Sequence, residues 1–386
     1  MNSWFCSARR GFTAACLAAV LGVAAFGSPL FADDSEGLTK VNIETQPYYD
    51  FKFFDVAKEL GVDREFGLDI SIITTPEQFS WRKLARGDVD IAASCPTCVL
   101  PAIGELPNLR DFMINQVFKG FVPIGRLKDG EPERPTYNQF LEENGGDVRA
   151  ALTSFAQSLK GSSWSVTPEI QKANMQLMLA KGGLTLDDIT IIPFPDETKS
   201  ALGFIHGEGD YYFGSLPQSV RLVSAPELEG QFVIAGSSDL FPTAFGTFAA
   251  LQEWLDENEE TAIRLYAVWF RTTRYLYEDP DRLLAIVGES LKAATGGLLT
   301  PEATMTALAK FNHFALFEDA WSTYFDPDST TYFGTANEEL FTEAANQGQF
   351  PKEITWDQIQ VGDKYFKLLA ERQDLIDIIN APLKGM

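Results

Sequence analysis

Twice along this chain a series of short apolar runs alternates with segments of helical spacing, and a polar stretch separates the two series. The run Lys40-Val41-Asn42-Ile43-Glu44-Thr45 alternates as a strand, and apolar residues then fall at 53, 54, 56, 57 and 60, a helical spacing. A second strand is predicted over 68–73, a helix over 81–86 stopped by Gly87, and a third strand over 89–93. Another strand is read over 118–124. A Pro- and Gly-rich segment at 128–144 and a helix over 147–159 intervene, and the series restarts. It gives a strand at 163–166, then a helix to 181 with Thr167 as N-cap and Pro168 as its first residue. A strand at 189–194, a helix at 197–205 and strands at 211–213 and 232–235 follow. From Ala249 on the chain reads as helical, with helices over 261–277, 301–310, 337–347 and 356–380. Parallel strands need long crossovers, so such alternation forces mainly parallel sheets. The fold class is α/β, with two lobes followed by a helical C-terminal region.

The 386 residues suffice for two or three domains and for a large core. Formal net charge is -23. A protein so acidic repels phosphate backbones, so no nucleic-acid partner is expected. Residues 1–32 read as an export signal: Arg9-Arg10, an apolar stretch over 11–26, a break at Gly27-Ser28-Pro29, and cleavage near Ala32. Arg9-Arg10-Gly11-Phe12 resembles a twin-arginine signal, so the choice between the general and twin-arginine routes stays open. The mature protein is expected in the periplasm. Cys6 and Cys16 leave with the signal, which keeps only Cys95 and Cys98, free to pair in an oxidising compartment.

Most catalytic chemistry lacks its residues. The two histidines, His206 in a loop and His313 on a presumed helix face, do not suggest a triad. No Walker loop, dinucleotide fingerprint, His-Glu-x-x-His or Gly-x-Ser-x-Gly elbow is present. Asp326-Pro327-Asp328 begins like a calcium loop but lacks the glycine at its sixth position. Zinc on Cys95 and Cys98 would need two further ligands. The Cys-x-x-Cys spacing leaves a thiol-disulfide oxidoreductase as an alternative, although Pro101 follows closely and would interrupt a stabilising helix. No metal and no cofactor are expected.

In open α/β sheets ligands sit beyond the carboxyl ends of the strands. Those ends carry Gln46-Pro47-Tyr48-Tyr49, Ser94-Cys95-Pro96-Thr97 and Thr167-Pro168-Glu169, with Asp210-Tyr211-Tyr212-Phe213 as a fourth cluster. The order of motifs resembles the periplasmic solute-binding proteins of ABC importers for nitrate, alkanesulfonates, taurine and thiamine pyrimidine precursors. Its carriers are Tyr48-Tyr49; Val56-Ala57-Lys58-Glu59-Leu60-Gly61; Glu65-Phe66-Gly67-Leu68-Asp69-Ile70; Leu84-Ala85-Arg86-Gly87-Asp88-Val89-Asp90-Ile91-Ala92; Leu159-Lys160-Gly161; and Gly209-Asp210-Tyr211-Tyr212. The resemblance implies a type II periplasmic-binding-protein fold with two hinge crossings. It places lobe one at 39–121 plus 247–386 and lobe two at 122–246, with hinges near Phe121-Val122 and Phe245-Gly246-Thr247. It implies a non-enzymatic, monomeric receptor that closes on a small solute and docks on a membrane permease. An enzyme resembling thiamine-pyrimidine synthases is the alternative on the same fold. The Cys pair and the long 127–159 connection depart from the family pattern.

The candidate ligand-binding residues are Gln46, Tyr48, Tyr49, Trp81, Ser94, Cys95, Thr97, Trp164, Thr167, Glu169, Asp210 and Tyr212. An acidic and aromatic wall favours a nitrogen heterocycle or an amine over a bare oxyanion, with sulfonates retained as a solute class.

Overall fold

A computed structural model of the chain describes residues 37–75, 80–127, 136–214, 216–241, 243–295, 301–346, 348 and 350–384. The export signal expected over residues 1–32 lies outside the described residues. Eleven strands are found among them: β1 (Thr39–Thr45), β2 (Leu68–Thr74), β3 (Ile91–Ser94), β4 (Leu109–Phe118), β5 (Ile124–Arg126), β6 (Ser163–Val166), β7 (Thr190–Pro193), β8 (Tyr211–Tyr212), β9 (Phe232–Ile234), β10 (Ala244–Leu251) and β11 (Asn312–His313). They form two sheets, in the orders β11-β4-β10-β3-β1-β2 and β7-β6-β8-β5-β9.

Both sheets follow one plan. Three parallel strands, β2-β1-β3 or β7-β6-β8, are followed by a strand that runs the other way, β10 or β5. The parallel strands carry helices in their crossovers, as the alternating sequence requires. One large apolar core surrounds the first sheet, and two smaller ones lie about the second.

The chain passes between sheets twice, over residues 119–123 and 235–243. Both crossings lead to adjacent strands, because β4 and β10 pair antiparallel from Ala244↔Phe118 to Leu251↔Leu109. Phe245, Gly246 and Thr247, read from sequence as a hinge, are therefore inside β10, opposite Val117, Gln116 and Ile114. Gly246 allows a close approach there: a Cβ would stand 2.3 Å from Asn115 Oδ1. The first crossing is aromatic. Phe121 packs edge-on against Phe118, at the end of β4, at 4.8 Å, and lies tilted against Phe213, just past β8, and Phe241, in the second crossing, at 5.9 and 6.0 Å.

Several sequence readings are corrected. The strand read over 118–124 is the crossing itself, and β4 lies upstream of it. Asp111, Asn115 and Gln116 break the apolar pattern of β4, yet all three are buried. β10 is missed because its first half, Phe245-Gly246-Thr247, reads as a hinge and its end, from Ala249, as the start of the helical region. His313 is on β11, an edge strand against β4, rather than on a helix face. The 356–380 segment is three helices, Trp356–Ile359, Gly362–Ala370 and Gln373–Asn380, instead of one. A further helix, Pro280–Thr295, lies between the helices read over 261–277 and 301–310. Helix Pro96–Ile103 runs through Pro101.

The C-terminal helices complete lobe one. Helix Glu259–Glu278 buries Trp269 among Phe53, Phe54 and Phe248, with ring centroids at 5.1, 5.3 and 5.6 Å, while its indole N–H donates to the Asn115 carbonyl. Arg271, on the same helix, is buried against Glu65 and donates to the carbonyls of Ile379, Ala381 and Pro382, which straps the C-terminal segment down. Trp269→Ala removes both the ring packing and the bond to β4. It is expected to cost about 3–5 kcal/mol, read in urea unfolding as a lower midpoint at unchanged slope.

Candidate functional site

The carboxyl end of β1 holds a buried carboxylate. Along β1, Val41 and Ile43 enter the apolar core, so the period of two turns Glu44 to the other face, beneath Ser80. Glu44 is fully buried. Its Oε1 accepts from the hydroxyls of Ser80, at 3.0 Å, and Thr75, while Oε2 has no hydrogen-bond partner. Burial pushes its pKa up to about 7, against the opposing pull of the Thr75 and Ser80 hydroxyls, the Ala93 backbone and Lys83. Gln46 continues the same edge, its amide reaching Ser80 Oγ and the Ala93 carbonyl at 3.4 Å each. Lys52 is buried nearby, but its ammonium is already engaged by Thr45 Oγ1 at 3.1 Å, Thr74 Oγ1 at 2.8 Å and Asp55 at 3.7 Å.

Ser94 ends β3 and is buried. Cys95 and Cys98 form a disulfide at the start of helix Pro96–Ile103. Cys95 is the N-cap, its sulfur accepting from the Cys98 N–H at 3.0 Å. The pair thus does structural work at the end of a strand, and both sulfurs are withdrawn from metal binding. No group of three or more potential metal ligands occurs among the described residues.

Next to the crossings, Asp50 accepts from Gln116 Nε2 at 2.5 Å, and Asn115 Nδ2 donates to the Asp50 carbonyl at 3.0 Å. Burial pushes Asp50 up to about 7 and Asp111, on β4, up to about 6. The oxygens of both amides, Asn115 Oδ1 and Gln116 Oε1, lack partners.

Lobe two offers a matching polar end. Glu197 opens helix Glu197–Ile205 and is buried, accepting from Tyr212 Oη at 3.1 Å and Gln171 Nε2 at 3.2 Å. Gly214, just past β8, leaves room beside it: a Cβ there would meet Glu197 Oε2 at 2.1 Å and Tyr212 Oη at 2.2 Å. Thr167, beyond β6, occupies the N-cap position of helix Pro168–Ala180 but makes no capping bond, contrary to the sequence reading. Its buried hydroxyl has no partner, and neither does that of Ser200. Gln218 donates to Thr198 Oγ1 at 3.3 Å and leaves Oε1 without one.

The structure brings Gln46, Ser94 and Cys95 together at the ends of β1 and β3, with Trp81 partly buried on the adjoining helix Ser80–Arg86. Tyr48 packs partly buried against the lobe-one core just after β1, and Tyr49 lies within that core. Thr167 and Tyr212 share the lobe-two end with Glu197. Trp164 is in the lobe-two core instead, stacked on Tyr211 at 4.6 Å and donating to Ser162 Oγ. Asp210 precedes β8 and accepts from the Ser163 N–H and hydroxyl at 2.9 and 2.8 Å, which puts it at the opposite end of the sheet from Thr167. The side chains of Thr97 and Glu169 lie outside the described ones. Sequence reasoning missed Glu44, Glu197, Asn115, Gln116 and Gln218. The available signal was positional: Glu44 is the last acid of an alternating strand, and Glu197 opens a helix that follows one.

No family model matches the chain, and no curated protein matches it. Its fold is that of several solved periplasmic binding proteins. The aliphatic sulphonate binding protein SsuA of Escherichia coli superposes with a TM-score of 0.62 at 12% identity, covering 85% of this chain and 99% of its own. The alkanesulfonate-binding SsuA of Xanthomonas axonopodis, bound to MOPS, gives 0.58 at 16%, covering 83% and 97%. The nitrate-binding NrtA of Synechocystis gives 0.59 at 14%, covering 90% and 93%. At these identities the likeness is one of fold.

Two outcomes follow from the geometry. Glu44 binds its proton more tightly folded than unfolded, so the native state holds more protons between about pH 4.5 and 7. Its contribution therefore falls as pH rises through that window and levels off above it. Glu44→Gln keeps the neutral shape and is expected to flatten this part of the melting-temperature profile, with the variant gaining on the parent toward pH 8. The Cys95→Ser/Cys98→Ser variant keeps a capping side chain at 95. The bridge closes a loop of only a few residues, so its loss costs about 2 kcal/mol, a lower melting temperature with unchanged far-ultraviolet circular dichroism.

Proposed function

We propose that this protein is an extracytoplasmic receptor of an ABC importer, one that closes on a small organic solute and delivers it to a membrane permease. The observation that carries the reading is the pairing of two similarly ordered sheets, each with buried polar groups at the carboxyl ends of its parallel strands, across two neighbouring crossings. The fold likeness to sulphonate- and nitrate-binding proteins, over nearly their whole length, supports it.

The mechanism is binding without chemistry. A solute held by lobe one alone gains only the contacts at Glu44, Gln46 and Ser94. Contacts to Thr167 and Glu197 are added when the lobes approach, so the solute favours the closed arrangement by that difference. The crossings at 119–123 and 235–243 absorb the rotation, with the paired β4 and β10 as the fixed side. The permease reads the closed shape. The receptor works as a monomer in the periplasm, needs no metal or cofactor, and is exported by the leader over residues 1–32.

The test is a melting-temperature screen of the mature chain against small sulfonates, pyrimidines and amines. A solute at about 100 times its dissociation constant adds about 2.7 kcal/mol of stability, a rise of a few degrees. Expected is a rise with one solute class, followed in calorimetry by saturable one-to-one binding with a negative heat-capacity change. Turnover of a bound compound would overturn the reading, as would disulfide exchange activity that vanishes with Cys95 and Cys98.

A further inference from the structure

The buried polar atoms left without partners near the carboxyl ends of the strands include four carboxylate or amide oxygens, beside the hydroxyls of Thr167, Ser200, Ser219 and Thr247. Glu44 Oε2, Asn115 Oδ1 and Gln116 Oε1 belong to lobe one, and Gln218 Oε1 to lobe two. The amide assignments in lobe one are fixed by chemistry. Gln116 points its NH2 at the Asp50 carboxylate and Asn115 points its NH2 at a backbone carbonyl, so the oxygens must be the free ends. A buried acceptor without a donor is costly, and only an arriving N–H or O–H recovers that cost.

The places where an anion is usually held are blunted. A helix start binds oxyanions through its free N–H groups. Two helices that follow parallel strands, Pro96–Ile103 and Pro168–Ala180, begin with proline, which has no N–H to offer, and a third, Glu197–Ile205, is capped by the Asp196 carboxylate. The Cys98 N–H is taken by Cys95 and the Lys199 N–H by Asp196. Lys52, the buried cation beside Glu44, is turned to Thr45, Thr74 and Asp55. An oxyanion placed here would add acceptors to acceptors and meet buried carboxylates in both lobes, Glu44 and Glu197.

We infer that the solute presents a nitrogen group rich in N–H donors, an amine, guanidinium or ring amino group, to Glu44 of lobe one and Glu197 of lobe two, and is not a bare oxyanion. This rests on the receptor reading and names its solute class. The hydroxyls of Thr167 and Ser200, able to donate or accept, serve a second polar group on the same solute.

The experiment is isothermal calorimetry of the mature chain with guanidine, ethylamine and 2-aminopyrimidine on one side, and ethanesulfonate and nitrate on the other. Binding by at least one N–H donor and by neither oxyanion is expected. Glu44→Gln and Glu197→Gln are each expected to weaken that binding roughly 10- to 100-fold, the loss of a charge-assisted hydrogen bond, while circular dichroism is unchanged. Gln218→Leu serves as a third variant should either carboxylate variant fail to fold, with a smaller loss expected. Binding of ethanesulfonate or nitrate, unchanged or tightened by the carboxylate variants, overturns the inference and leaves the receptor reading standing. Donor binding that the variants leave unchanged also overturns it. Binding by none of the five probes counts against both.

Discussion

The backbone pairing of β4 with β10 is the constraint on which the rest depends. Because the outgoing and returning strands lie side by side in one sheet, the two links between lobes emerge next to each other. Lobe two is thereby joined by a double connection rather than threaded through lobe one, and it also touches lobe one where Leu216 and Val220 enter the large core beside helix Pro301–Phe311. The same pairing stacks Ser94, Thr247 and the Asn115-Gln116 pair along the edge that faces the crossings. Gly246 makes this possible, since any side chain there would collide with Asn115 and Gln116. Phe121, caught between Phe118 and the Phe213–Phe241 stack, keeps the first link packed rather than loose.

Much of this plan was legible from the residues. The parallel strands and their helices announced themselves because apolar runs are bounded by glycines, as at Gly61, Gly67 and Gly87, all of which adopt positive φ. The strands that were missed are those whose sequence serves two purposes. β4 carries Asp111, Asn115 and Gln116 in a fully buried strand, so its apolar period is broken by the same groups that make it interesting. β10 carries a glycine at 246, where Asn115 and Gln116 come close, and that glycine reads as a hinge. Which strand ends matter was readable, since it follows from sheet architecture. Which side chains point where was less so. Trp164 and Asp210 were chosen for chemical type, and the structure uses one as core and the other to tie Ser163, at the far end of the sheet. Glu44 and Glu197 were passed over because acids are abundant in a chain of net charge -23, and only burial, which they share with Asp50, Asp63 and Asp111, sets them apart from the exposed ones.

The polar ends are expensive for the empty protein. Glu44, Asp50 and Asp111 all have burial raising their pKa, and Glu44 and Asp111 each keep one oxygen without a partner. A fold optimised for stability alone would replace them with apolar groups. Their retention beside two crossings fits a site whose groups are completed by a guest. The disulfide, the buried Arg271 strap and the aromatic packing about Trp269 all lie in lobe one. Unmet polar groups of this kind are where stability is traded for binding.

The central claim is that a solute draws the two lobes together. Spin labels at exposed Arg82 of lobe one and exposed Lys199 of lobe two would report the gap between the polar ends by pulsed electron resonance. The account expects a broad distance distribution without solute that shortens and narrows when the bound solute saturates. A distribution that stays the same on saturation would contradict it.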